Sequence, residues 1–403
     1  MDSEKPRRRL FGLERNVFFL GLVSLFNDFS AELVYSLMPG FFTTVLGASA
    51  ALLGFMEGFV DALASILKIY SGWLSDKIGR RKLPAVIGYA IAVSARAFLA
   101  FVGKAWEVFV IRVADRVGKG LRDSPRDALL SESVAPAEVG RSFGYQRAMD
   151  AMGGILGPTL AIVLFPLVSG NYSVMFMIAS AISIFAVLCF VFVREVKTPQ
   201  EIKPKTPVPF SFSLKRFDRK FKLFLMAVFI FGAGIMPVSL MILKASAIGL
   251  SDKAIPLMYL IYTASFTFFA IPFGRLSDKI GERGVIVGGF LCAIFSYGIL
   301  SASTGLMGVA MGLVVFGLYS AMTDGVERAL TSKLVAPDQL ATGQGFLQSA
   351  VGISSLIGGS VGGLIWTFIS PTAAFAYGAV MMAMGLLVFI RLNGYHKDTN
   401  SNF

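Results

Sequence analysis

Inside long apolar runs, this sequence carries ionisable residues at spacings that share helical faces. The stretch IRVADRVGKGLRDSPRDAL, residues 111–129, holds Arg112, Asp115, Arg116 and Lys119 at steps of three, four and seven, so one face of a helix carries them all. Asn27, Asp28 and Glu32 stand in an earlier run, Glu57, Asp61 and Lys68 in the next, then Arg96, and later Arg147 and Asp150. Carboxylates removed from water exchange protons, which makes Asp28, Glu32, Asp61, Asp115 and Asp150 candidates for coupling to a proton gradient. Asn27, Glu57, Arg96, Arg112, Arg116 and Arg147 supply the hydrogen bonds and charge that hold a polar solute. Covalent chemistry lacks its parts. The sole histidine, His396, stands near the end of the chain, Cys189 and Cys292 lie in different apolar runs, and no nucleotide-binding loop is present. The sequence is therefore not expected to be an enzyme, to need a cofactor or to bind a metal, and soft-metal cargo is disfavoured.

These residues must be positioned by a membrane-embedded scaffold. Apolar residues make up 55% of the 403 and charged ones only 15%, more apolar surface than a soluble core of this length buries. At roughly 20 residues per crossing there is room for twelve spans. They are expected from 16–44 through 51–71, 83–103, 107–128, 142–166, 173–193, 222–245, 254–273, 284–302, 306–326 and 342–368 to 372–391. A charge facing lipid at mid-membrane costs at least ~2.5 to 3.5 kcal/mol, so the ionisable set must face inward across a polar cavity. Depth, counted at about 1.5 Å per residue, puts Asp28, Asp61, Arg96, Asp115, Arg116 and Asp150 near the midplane. Arg112 falls nearer the outside, and Lys68, Lys119, Arg122 and Arg126 nearer the cytoplasm.

Alternate connections are basic: Arg7 to Arg9, Lys77 to Lys82, the segment from Lys197 to Lys222, and Arg275 to Arg283. Lysine and arginine mark the cytoplasmic side, so both termini are expected inside, in a multi-pass protein of the cytoplasmic (inner) membrane. The formal net charge of +12 is then a matter of topology, and no nucleic-acid partner is expected. The proline- and lysine-rich stretch at 196–221 reads as a cytoplasmic linker between an N-terminal bundle of six helices, 1–195, and a C-terminal one, 222–403. Internal echoes support that division. GWLSDKIG at 72–79 returns as GRLSDKIG at 274–281, SLMP at 36–39 as GIMP at 234–237, and RDALLSESVAP at 126–136 as ERALTSKLVAP at 327–337. Two similar halves around a midplane site are the plan of many secondary transporters.

The island at 72–81 resembles the signature loop of the major facilitator superfamily, G-x-x-x-D-R/K-x-G-R-R/K, matched by Gly72, Asp76, Lys77, Gly79, Arg80 and Arg81. A weaker copy keeps Gly274, Asp278, Lys279 and Gly281 but has Glu282 where the first basic residue belongs. The resemblance implies an all-α membrane protein of two pseudo-symmetric six-helix bundles, working by alternating access on a small-molecule substrate. It also implies a conformational latch made of the two islands with Arg122 and Arg126 at the cytoplasmic end of span 4. GGILGP, with Gly153, Gly157 and Pro158, resembles an element associated with drug and proton antiporters in this superfamily, lacking its following glycine. The expected activity is therefore proton-coupled efflux of a small organic solute. Uptake of a small organic anion by proton symport is the alternative, prompted by the arginines of spans 3, 4 and 5. Sodium is the alternative coupling ion, and the protein is expected to act as a monomer in the lipid bilayer.

Overall fold

The computed structural model describes residues 9–78, 80–135, 138–195, 214, 217–251, 254–336 and 339–391, with the side chains at 69, 72–79 and 341 outside the described set. Thirteen α-helices account for nearly all of it: α1 Arg15–Gly40, α2 Ala50–Ile78, α3 Lys82–Leu99, α4 Ala105–Glu132, α5 Val139–Leu167, α6 Tyr172–Phe192, α7 Arg219–Gly232, α8 Val238–Ala247, α9 Ala254–Ile280, α10 Glu282–Ala302, α11 Leu306–Leu334, α12 Leu340–Phe368 and α13 Pro371–Ile390. Among the described residues, ten helical segments are long and apolar enough to cross a bilayer. α4, in the place of the expected fourth span, is not among them because its charges depress its hydropathy. The expected seventh span is two helices, α7 and α8, neither long enough alone.

Local chemistry sets many of these boundaries. Asn171 accepts the amide of Val174 at 3.2 Å to cap α6, and Ser370 accepts that of Ala373 at 3.1 Å ahead of Pro371 in α13. Glu107 turns back on the amides of Gly103 and Lys104, at 2.9 and 3.1 Å, to close the start of α4. The echoed SLMP and GIMP segments both disturb a helix through their proline, which has no amide hydrogen to donate. After Pro39, α1 widens into a π-helical turn, Phe41–Val45. At Pro237 the chain breaks outright between α7 and α8. The buried amide of Met236 finds the Tyr297 hydroxyl of α10 at 2.7 Å, and the Tyr377 hydroxyl of α13 donates to the Ala233 carbonyl at 2.9 Å.

By contacts the chain forms two units, one of Met1–Leu37 with Leu63–Ser211, the other of Met38–Ala62 with Phe212–Phe403. In the first, a hairpin of β1 Arg9–Leu10 and β2 Leu13–Glu14 turns through Phe11 and Gly12, both at positive φ, and leads into α1. The α3–α4 crossing is glycine on glycine: a Cβ on Gly88 would stand 2.5 Å from the Gly118 carbonyl, and one on Gly118 2.6 Å from that of Gly88. In the second unit, the first part of α2 lies against α12, where Gly54 meets Gly359 and Gly363 meets Ala50, backbone to backbone. Its core is aromatic. Phe231 stacks on Phe290 with centroids 3.6 Å apart, and Phe316, Tyr319, Tyr262 and Tyr297 continue the cluster.

Candidate functional site

The charged face of α4 is buried in the first unit and organised around one carboxylate. Asp115 lies 3.5 Å from Arg96 of α3, 3.7 Å from Arg112 and 3.8 Å from Arg116, and all four residues are at most 7% exposed. Arg96 also donates to the Asn27 side chain at 3.0 Å and to the Ser30 hydroxyl at 3.3 Å, while Ser30 in turn donates to the Ala179 carbonyl of α6. Tyr35 of α1 packs its ring under both arginines of α4, with guanidinium carbons 4.2 and 4.7 Å from its centroid. A cavity of about 10 Å³, room for one water, opens among Ala31, Ala95, Arg96, Arg112 and Asp115.

A second charged layer lies further along α4. Lys68 of α2 pairs with Asp123 at 3.1 Å, and Arg122, 3.7 Å from Asp123, covers the Tyr89 ring. Arg126 pairs with Asp127 at 2.9 Å and reaches the Ser24 and Tyr89 hydroxyls at 3.3 and 3.5 Å. Gln146 of α5 closes this layer, its side-chain carbonyl accepting from the Arg126 guanidinium at 2.8 and 2.9 Å. Lys68 and Asp123 thus bring α2 and α4 together, while Asp115 and Arg112 pair along α4 itself.

The α1–α5 seam brings the remaining carboxylates together. A Cβ on Gly153 would stand 2.7 Å from the Phe29 amide and 3.0 Å from Asp28 Cβ; one on Gly157 would meet the Leu33 amide at 2.6 Å and Glu32 Cβ at 2.8 Å. The glycines of GGILGP thus seat α5 on the stretch of α1 that carries Asp28 and Glu32. Asp28 accepts from the Asn27 amide at 2.8 Å, and its charge acts on Asp150 of α5, which also feels Arg126 and Arg147. Asp150 is 3.7 Å from Arg147, and its buried Oδ1 has no hydrogen-bond partner among the described residues. The Arg147 side chain is 67% exposed. Glu57, buried, and Asp61, half-buried, belong to the second contact unit.

Of the signature islands, Gly79 and the side chains of Asp76 and Lys77 lie outside the described residues. Arg80 is exposed; Arg81 pairs with Glu132 at 3.0 Å, and its backbone amide donates to Glu195 at 2.7 Å. In the second copy, Asp278 is exposed, and Gly281 holds φ at +89° to start α10, a conformation that needs glycine. Glu282 pairs with Lys333 of α11. Each unit thus carries an ion pair between the start of α3 or α10 and the end of α4 or α11 with its signs exchanged: in the island's register, an offset of 202, Glu282 stands at the place of Arg80, beside that of Arg81, and Lys333 stands at the place of Glu132 at an offset of 201. This accounts for the odd residue in the weaker island. Sequence reasoning missed Ser24, Ser30, Tyr35, Tyr89 and Gln146, neutral side chains whose spacing from the charges was the one available signal.

Comparison with known proteins agrees with this architecture. The family model described as Major Facilitator Superfamily matches residues 20–244 and 223–402. An uncharacterized MFS-type transporter of Methanocaldococcus jannaschii is 32% identical over 391 residues, 94% of this chain and 95% of that protein. The multidrug resistance protein MdtH of Photorhabdus laumondii is 22% identical over 374 residues, 91% and 90% of the two chains. Among solved structures, a POT family transporter in complex with 5-aminolevulinic acid superposes with a TM-score of 0.79 at 11% identity, covering 98% of this chain and 99% of that one. The nucleoside transporter NupG gives 0.74 at 15% identity, covering 94% and 99%. With its helical architecture, its apolar spans and a family match running nearly end to end, this chain belongs to the major facilitator superfamily and is a multi-pass membrane protein with a transporter fold.

Proposed function

We propose that this protein is a secondary active transporter that moves a small organic solute across the cytoplasmic membrane by alternating access, exporting it in exchange for protons. The observation that carries this reading is the buried charged network of α1, α3, α4 and α5, in which Asp115 gathers Arg96, Arg112 and Arg116 and Gly153 seats α5 against the Asp28 turn of α1. Buried ion pairs stabilise less than apolar packing, so such a network implies use. MdtH relatives, named for multidrug resistance, support the export direction. In this reading Asp28, Glu32, Asp61, Asp115 and Asp150 are the coupling candidates. Asn27, Glu57, Arg96, Arg112, Arg116 and Arg147 contact solute, and the two islands latch one conformation. The halves 1–195 and 222–403 alternate access between them, joined by the linker 196–221, most of which lies outside the described residues, with both termini cytoplasmic and the monomer sufficient.

Reconstitution into proteoliposomes tests this. Counterflow of a solute without a gradient, and its accumulation under an imposed pH gradient in the direction opposite to proton flow, are expected. Absence of counterflow for every compound that stabilises the purified protein would remove the transporter reading. Accumulation in the same direction as protons would favour symport instead, the reading to which three guanidinium groups around Asp115 lend weight.

A further inference from the structure

One cation on the charged face of α4 is left over by the network. Lys119 stands between Gly118, which abuts Gly88 of α3, and Gly120, where a Cβ would run into Leu67 of α2. At 3.6 residues per turn it points about 100° away from each of those contacts, on the same arc as Asp115, Arg116, Asp123 and Arg126. Its side chain is only partly buried. Among the described residues it makes no hydrogen bond or ion pair, and the charged groups acting on it are Arg116, Lys68, Asp123 and Asp28.

Both of those acids are committed elsewhere. Asp123 gives one oxygen to Lys68 at 3.1 Å and the other to Arg122 at 3.7 Å, while Asp28 accepts from Asn27 at 2.8 Å. Arg116 has Asp115 at 3.8 Å and Lys68 has Asp123 at 3.1 Å, whereas Lys119 has no acid within ion-pair distance among the described residues. An ammonium held among like charges in a region of low dielectric is an unfavourable arrangement unless an anion completes it. A merely solvated lysine would have no reason to be framed by two glycines that bring α2 and α3 up on either side. The flexible stem and compact charge suit a carboxylate or phosphate group that arrives and leaves.

We infer that Lys119 anchors an anionic group, a carboxylate or phosphate, on the transported solute. This rests on the transporter reading and names the substrate class for the same site. The test uses the purified full chain and follows thermal unfolding with sulfate, phosphate and matched pairs of carboxylates and their amides, benzoate with benzamide and succinate with succinamide among them. At least one organic anion is expected to raise the melting temperature where its amide does not. Lys119→Met should weaken that anion at least roughly tenfold, the value of one charge-assisted hydrogen bond, and Lys119→Arg should restore most of it. Without ligand, Lys119→Met should melt no lower than the parent, because a like charge has been removed; Lys119→Gln serves if the Met variant fails to fold.

The inference is overturned if no anion stabilises the parent, if amides act as well as acids, or if Lys119→Met binds the anion within about twofold of the parent. A response to sulfate or phosphate alone would assign the site to an inorganic anion and overturn the organic-solute assignment. Counterflow separates this from the reading it rests on. Transport of a lipophilic cation with no anion response sinks the Lys119 site alone, while anion binding that depends on Lys119 without counterflow sinks the transporter reading and leaves the site standing.

Discussion

Replacing Asp115 with asparagine removes the only carboxylate, among the described residues, within ion-pair distance of Arg96 and leaves its guanidinium and those of Arg112 and Arg116 facing an amide of equal volume. No cavity is created, so the effect is electrostatic. At the observed separations of 3.5 to 3.8 Å, each contact amounts to ~4 kcal/mol of gross attraction at an effective dielectric of about 20. Repulsion among the three cations and the cost of burying Asp115 offset much of this. Breaking a buried ion pair from one side nets about 3–5 kcal/mol, and here the asparagine NH2 adds a donor among donors. The melting temperature in detergent should fall by about 4–6 °C. Adding Arg116→Met should recover part of the loss, giving a coupling of about 1–3 kcal/mol in a double-mutant cycle. A shift below about 1 °C for Asp115→Asn, or strict additivity of the two changes, would refute the reasoning.

Other elements make their own predictions. Tyr297→Phe leaves the buried Met236 amide at the α7–α8 break unpartnered and should cost about 1–3 kcal/mol, read as a lower melting temperature; an unchanged value would mean the amide finds water. Gly157→Leu drives a side chain into the Glu32–Leu33 backbone and should separate α5 from α1, with loss of stability of about 2 kcal/mol or more, whereas Gly140→Leu, at a site with open space, should not. For the sign-reversed ion pair, Glu282→Lys and Lys333→Glu should each cost about 1 kcal/mol, and the double exchange should recover most of it; additive losses would deny the pair.

Where apolar length decides, the sequence was a sufficient guide: the expected spans 173–193, 284–302 and 372–391 correspond to α6, α10 and α13 within a residue or two. The face of α4 was equally legible, because spacings of three and four fix azimuth on a helix without knowledge of any neighbour. Partners across helices were not. Lys68 takes Asp123, 55 positions away, a choice set by the α2–α4 packing at Gly120. GIMP was visible as an echo of SLMP, yet hydropathy could not say that one proline widens a helix while the other breaks it; the tyrosine that satisfies the freed amide lies 61 residues on. The glycines of GGILGP were recognisable as a close-contact motif, but that they abut the Asp28 and Glu32 turns of α1 depends on tertiary structure. The repeats set Glu282 beside the place of Arg81 and Lys333 at the place of Glu132, and only the paired geometry gave the odd glutamate its reason.

The central claim is that the carboxylates on the α1–α5 seam couple solute movement to protons. Its most direct test is transport by Asp28→Asn, Glu32→Gln and Asp150→Asn in proteoliposomes, measured once under an imposed pH gradient and once as gradient-free counterflow, with the solute found by thermal-shift screening. A side chain that cannot release a proton stops the coupled cycle but still lets the loaded carrier reorient. At least one of the three variants is expected to lose gradient-driven accumulation while keeping counterflow near the parental rate. Full pH-driven accumulation by all three would contradict the account, and so would equal loss of both activities in every one.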